Sequence, residues 1–219
     1  MSVLVEACVD SVASAAAAER GGARRLELCD NLDVGGTSPS VALVRAVKEA
    51  VAIPVFVMVR PRGGDFLFSP REHAAILASI PGLHAAGANG FVIGALTAEA
   101  TVDEQQTREL VDACALSPVT FHKAFDIARD QAAELEALVR CGVSRVLTSG
   151  GAPTARDGVE ALRALVRQAH GRIDVMAGGR VRAPNVREIV EGSGVREVHA
   201  RCVGDEATIR GIVEAVAGV

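Results

Sequence analysis

Eight short runs rich in β-branched residues recur along the chain, each followed by a stretch of helical periodicity. The runs cover residues 3–9, 25–29, 55–60, 91–96, 119–125, 146–149, 174–177 and 197–201. Between them, periodicity and end signals predict helices over 12–20, 102–115, 130–141, 155–170, 184–191 and 205–217. Ser38-Pro39 and Ser69-Pro70 each set a cap residue before a proline suited to the first helical position, which predicts two more helix starts. Strand then helix, eight times in 219 residues, predicts a (β/α)8 barrel of the TIM type rather than an open doubly wound sheet. Gly22, Gly87, Gly142 and Gly194 end helices shortly before the second, fourth, sixth and eighth runs, a weak two-unit repeat. No linker composition interrupts the pattern, so 1–219 reads as one domain.

Composition supports that reading and removes several function classes. With 49% apolar and 23% charged residues the chain has material for a large core, which excludes a disordered protein. The net charge is −4, no basic run exists, and Trp and Tyr are absent, which argues against nucleic acid as a partner. The longest uncharged stretch, 74–98, is interrupted by Pro81-Gly82, Gly87 and Asn89-Gly90. It is expected to be helix, turn and strand rather than a membrane span. The N-terminus lacks a basic flank followed by an apolar run, so no signal peptide is expected. Cys8, Cys29, Cys114, Cys141 and Cys202 form no C-x-x-C pair, which fits a reduced, cytoplasmic protein without a disulfide framework or four-cysteine zinc site.

Side chains two apart on a strand share a face. Glu6-Ala7-Cys8 and Glu27-Leu28-Cys29 therefore repeat a Glu-x-Cys signature near the ends of the first two strands. Arg60 ends the third run in phase with Met58, His122 lies on the fifth in phase with Asp126, and His199 lies on the eighth with Glu197. Glu6, Glu27, Arg60, His122, Asp126 and His199 thus converge on the rim where barrel enzymes place their sites, and form a candidate catalytic pocket. The plainer alternative for Glu6 and Glu27 is an ion pair with Arg60 that closes the barrel. Lys123 is out of phase with His122 and makes a poor Schiff-base candidate. Arg62, in the Arg60–Phe66 loop, and the turns Ser149-Gly150-Gly151 and Gly178-Gly179 are candidate anion contacts. Cys8 and Cys29, on neighbouring strands, are candidate ligands for one soft ion such as Cu(I); the alternative is two small buried hydrophobes. Cys114 and Cys141 read as helix packing residues.

The segments at 6–15, 21–29, 53–66, 94–97, 118–126, 147–153 and 196–200 resemble the CutC copper-homeostasis family in order and over most of the chain. The resemblance implies a cytoplasmic barrel, a homo-oligomer such as a dimer or tetramer, linked to copper tolerance or trafficking. It implies Cu(I) ligation by Cys8 and Cys29 and no organic cofactor. Two departures stand out: Lys123 replaces the family's usual Arg, and Met176-Ala177-Gly178-Gly179-Arg180 replaces Met-Pro-Gly-Gly-Gly. The expected function is a copper-homeostasis protein. The alternative is a barrel enzyme using Glu6 or Glu27 with His122 in acid–base chemistry on a small anionic metabolite, phosphorylated in one version.

Overall fold

Hydrogen bonding joins the eight runs into one closed parallel barrel in a computed structural model that describes residues 2–202 and 204–219. The strands are β1 (Leu4–Val9), β2 (Arg25–Leu28), β3 (Val55–Met58), β4 (Gly90–Ile93), β5 (Val119–Phe121), β6 (Arg145–Thr148), β7 (Asp174–Gly178) and β8 (Glu197–Arg201). Each pairs with the next in sequence, and β8 closes on β1 with Glu6 opposite His199 and Cys8 opposite Arg201. Helices α1 (Val12–Arg20), α2 (Val41–Ala50), α3 (Pro70–Ala85), α4 (Glu104–Ala113), α5 (Gln131–Arg140), α6 (Val159–Ala169), α7 (Ala183–Ser193) and α8 (Glu206–Ala215) follow the strands in turn. No helix among the described residues is long and apolar enough to cross a membrane.

Alternation along the strands sorts the barrel into two unlike faces. Val5, Ala7, Leu26, Leu28, Val57, Phe91, Ile93, Phe121, Val146, Ala177 and Val198 belong to the main apolar core beneath the helices. The other phase points inward and is largely polar, with a small separate apolar cluster of Cys8, Cys29, Phe56, Met58 and Val92, and Leu147 and Met176 beside it. The four helix-ending glycines adopt positive φ, at 93° for Gly22, 101° for Gly87, 77° for Gly142 and 79° for Gly194. A side chain would be strained there, which explains the recurrent residue.

Element ends depart from expectation where side chains compete for the backbone. The fifth run stops at Phe121, because residues Lys123–Ile127 form a 3-10 turn capped by His122. α2 starts after Ser40, not Ser38. The Ser38 hydroxyl accepts from the Arg60 N–H at 2.8 Å and is thereby committed to the end of β3. α6 begins at Val159, since a glycine turn and further turns occupy the segment before it. Pro81 does not break α3, which continues to Ala85; a proline near the end of a helix costs one backbone hydrogen bond, and buried Ile76, Ile80 and Leu83 anchor that face. The start of α3 matches expectation: Ser69 caps it, Pro70 opens it and Glu72 completes a capping box.

An ionic layer fills the barrel interior. Arg25 pairs with Glu6 and, at 2.5 Å, with Glu197; Arg145 also pairs with Glu197. The two guanidinium carbons lie 5.1 and 5.6 Å from the centre of the Phe56 ring. That ring lies against Gly90, where an added Cβ would come within 2.7 Å of it. Buried charges of this kind are tolerable only when paired. Glu197→Gln should therefore destabilise the fold by about 3–5 kcal/mol in urea denaturation, because it leaves two buried guanidinium groups short of a counter-charge.

Candidate functional site

A cavity of about 200 Å3 opens at the C-terminal ends of the strands. Its walls include Cys8, Glu27, Cys29, Met58, Arg60, Phe66, His122, Lys123, Leu147, His199 and Arg201. Another cavity, of about 300 Å3, lies at the opposite end beside β7 and β8. Two of its charged wall residues, Asp174 and Glu197, are already paired with Arg145, so the mouth is the better functional candidate.

On one side of the mouth, three ligating atoms from Cys8, Glu27 and His199 lie within 4.8 Å of one another. The His199 ring bridges two carboxylates, with Nδ1 2.9 Å from Glu6 and Nε2 3.6 Å from Glu27. Burial opposes a charge on His199, but Glu27, Cys8 and Glu6 outweigh it and hold the imidazole well above its ordinary pKa, as an imidazolium. Burial likewise works to raise Glu6, yet Arg25 and His199 hold it down at about 2. Glu27 lacks such an arginine: burial, reinforced by Glu6 and opposed by His199, raises it. The two carboxylates therefore differ in character although one imidazole joins them. The Cys29 thiol donates to Glu27 at 3.6 Å. Its interaction with Cys8 lowers its pKa, while burial and Glu27 raise it, to about 11 overall. Contact with Cys29, burial and Glu27 hold the Cys8 thiol well above its ordinary value.

Arg60, Phe66 and His122 form the other side. Arg60 is buried and does not pair with Glu6 or Glu27; its Nη1 reaches the carbonyls of Val34, Gly35 and Gly36, and its Nη2 that of Gly64, at 2.8 to 3.4 Å. The alternative reading, a Glu6–Arg60 pair, gives way to Glu6–Arg25, because Arg25 lies one inward position deeper on β2 than Glu27 and meets Glu6 inside the barrel. Burial, helped by Arg60, pushes His122 down to about 3, so its ring is neutral. Nδ1 accepts from the Ala124 N–H at 3.2 Å, which leaves the ring proton on Nε2.

Asp126 leaves the pocket. The 3-10 turn swings it away from the His122 phase toward the end of β6, where it accepts from Thr148 Oγ1 at 2.5 Å and from Ser149 N–H and Oγ at 2.9 Å. It also accepts from Gly151 N–H at 3.2 Å and pairs with Lys123 at 2.7 Å. The Gly150 N–H goes to Thr148 Oγ1. The Ser149-Gly150-Gly151 turn thus carries an internal carboxylate where an external anion was expected. Arg62 is likewise engaged, with Glu72, Asp65 and the Leu67 carbonyl. Gly178 backs onto Leu147, and Gly179 faces Ser149 and Lys123. Arg180 adopts φ of 55°, a left-handed conformation that suits the glycine for which it substitutes in the resemblance.

Sequence reasoning missed Arg25 and Arg145 as interior residues, although each opens its strand in phase with an inward neighbour, Glu27 and Leu147. It also missed Phe66, whose ring lies 4.6 Å from the Arg60 guanidinium carbon and 4.9 Å from the His122 ring. No strand periodicity marks a loop residue.

Closed (β/α)8 topology with a thiol, imidazole and carboxylate cluster at the strand ends defines a barrel protein with a mouth-side polar site. The CutC family model matches residues 3–204, and the chain belongs to the CutC family. It is 50% identical to the human "Copper homeostasis protein cutC homolog" over 90% of this chain and 72% of that protein. Identity to the CutC family protein of Mesorhizobium japonicum is 44%, covering 92% of this chain and 78% of the relative. The crystal structure of CutC from Streptococcus agalactiae superposes with a TM-score of 0.86 at 32% identity, over 90% of this chain and 97% of that one. A phosphoribosylanthranilate isomerase from Pyrococcus furiosus, at 16% identity and TM-score 0.66, shares the barrel fold.

The internal role of Asp126 is testable. Asp126→Asn should cost about 2–3 kcal/mol at neutral pH, since Asn cannot accept all these donors or neutralise Lys123. Burial works to raise the Asp126 pKa, but Lys123 and Thr148 lower it below the ordinary value. Its contribution is therefore present above the unfolded aspartate pKa and lost as pH falls through the folded value. In denaturation measured across that range, the difference between wild type and variant should shrink as pH falls.

Proposed function

We propose that this chain is a cytoplasmic Cu(I)-binding protein of copper homeostasis, with copper as its cargo and Cys8 and Cys29 as the principal ligands. The observation that carries the reading is the contact between these two thiols, one in β1 and the other just past the end of β2, within one buried cluster that also contains Met58. Thiolate and thioether sulfur are soft donors that select Cu(I), and His199 beside Cys8 becomes a further donor once copper binding displaces its ring proton. Glu27 is a hard donor and suits an outer role, orienting the Cys29 thiol and His199. All five cysteines are free and buried, which agrees with a reducing compartment. The human and mouse relatives carry the name copper homeostasis protein, which supports the same assignment.

A Cu(I) competition titration against a chromophoric chelator, under reducing conditions, tests this. Wild type should bind one Cu(I) tightly, and Cys8→Ser and Cys29→Ser should each weaken binding by orders of magnitude. Glu27→Gln, acting from outside the ligand set, should cost about 10- to 100-fold, less than either serine substitution. Tight binding that survives both serine substitutions would overturn the assignment.

A further inference from the structure

We propose that the mouth cavity also binds a small organic carboxylate, held between Arg60 and His122. The site uses neither cysteine and does not depend on the copper reading.

Arg60 is only 4% exposed, and its four terminal contacts are all with neutral backbone carbonyls. Among the described residues no carboxylate lies within ion-pair distance of it. A buried cation without a counter-charge is costly, so the position calls for an anion. Its Nε is buried and lacks a hydrogen-bond partner among the described residues. The same is true of Nε2 of His122, a side chain 5% exposed. The two residues that carry these unpartnered N–H donors both line the one cavity. Native proteins rarely leave such groups unpaired without a ligand or water to meet them.

Both donors are held in place. Phe66 packs against the Arg60 guanidinium and the His122 ring together. Gly94 backs the imidazole so closely that an added Cβ would lie 2.2 Å from Cε1. Because Ala124 N–H occupies Nδ1, His122 presents a neutral N–H donor, whereas Arg60 supplies the charge. Lys123 and Arg201 also line the cavity, but each is already paired, with Asp126 and Asp33, so the uncompensated charge there is that of Arg60.

The chemistry of the site selects the class of anion. Arg60 has both terminal nitrogens committed to backbone carbonyls, which leaves its Nε–H as the one unpartnered donor rather than a bidentate pair. One donor from each residue matches the two oxygens of a carboxylate. A phosphate group needs more donors, and the nearest glycine-turn amides are spent on Asp126 and Thr148. A cavity of about 200 Å3 is smaller than most pockets for drug-sized ligands, which favours a compact acid.

The test uses copper-free, 15N-labelled full-length protein with pyruvate, malonate and inorganic phosphate as probes. A carboxylate probe should produce a saturable shift of the His122 ring resonances, and phosphate should bind more weakly. His122→Asn keeps an acceptor for the Ala124 N–H but deletes the Nε2 donor. It should weaken carboxylate binding by about tenfold or more, as should Arg60→Lys. No saturable shift in the wild type with either carboxylate, unchanged affinity in His122→Asn, or phosphate binding as tightly as the carboxylates would overturn the proposal. The wild-type titration decides even if a variant fails to fold, and none of these results bears on Cu(I) binding.

Discussion

The ionic layer inside the barrel governs the rest of the structure. Eight strands enclose a space that branched apolar side chains usually fill; here Glu6, Arg25, Arg145 and Glu197 occupy it around Phe56. Each charge is tolerable only because another neutralises it in a shared, water-poor space. Satisfying Arg25 with Glu6 and Glu197 fixes the Glu6 carboxylate in its ionised form. That in turn holds His199 from below and shapes everything nearer the mouth.

Above this layer the interior changes from balanced to unbalanced. Glu6 is low in pKa because an arginine lies beside it, whereas Glu27, two strand positions away from Arg25, is raised. His199 joins the two, and Cys8 completes a compact cluster of ligating atoms. Across the cavity, Arg60 and His122 each keep one donor without a partner among the described residues. One mouth therefore sets soft sulfur on one side and the Arg60–His122 pair on the other. Asp126 shows the opposite outcome, since a protein carboxylate already fills the turn that it approaches.

Much of this was legible in the chain. The order of strands and helices, the inward phase of Glu6, Cys8, Glu27 and His199, and the serine cap with Pro70 all follow from periodicity and local hydrogen bonding. The partnership of Glu6 with Arg25 was not legible, because phase states which face a residue occupies but not its depth or its neighbour across the barrel. Asp126 escapes strand phase for a related reason: two-residue alternation ends at Phe121, where the backbone turns into a 3-10 conformation. Ser38 has the residue type and the following proline of a helix cap, yet the end of β3 claims its hydroxyl.

The sequence by itself determined the (β/α)8 architecture and the inward face of each strand. Both rest on local chain stiffness and on the alternation of apolar and polar residues, which act over a few residues at a time. Only the tertiary structure decided which inward groups meet, which cations acquire a carboxylate and which donors remain unpaired. Closing the ring brings strands distant in sequence to fixed depths and angles, and electrostatic pairing depends on those distances.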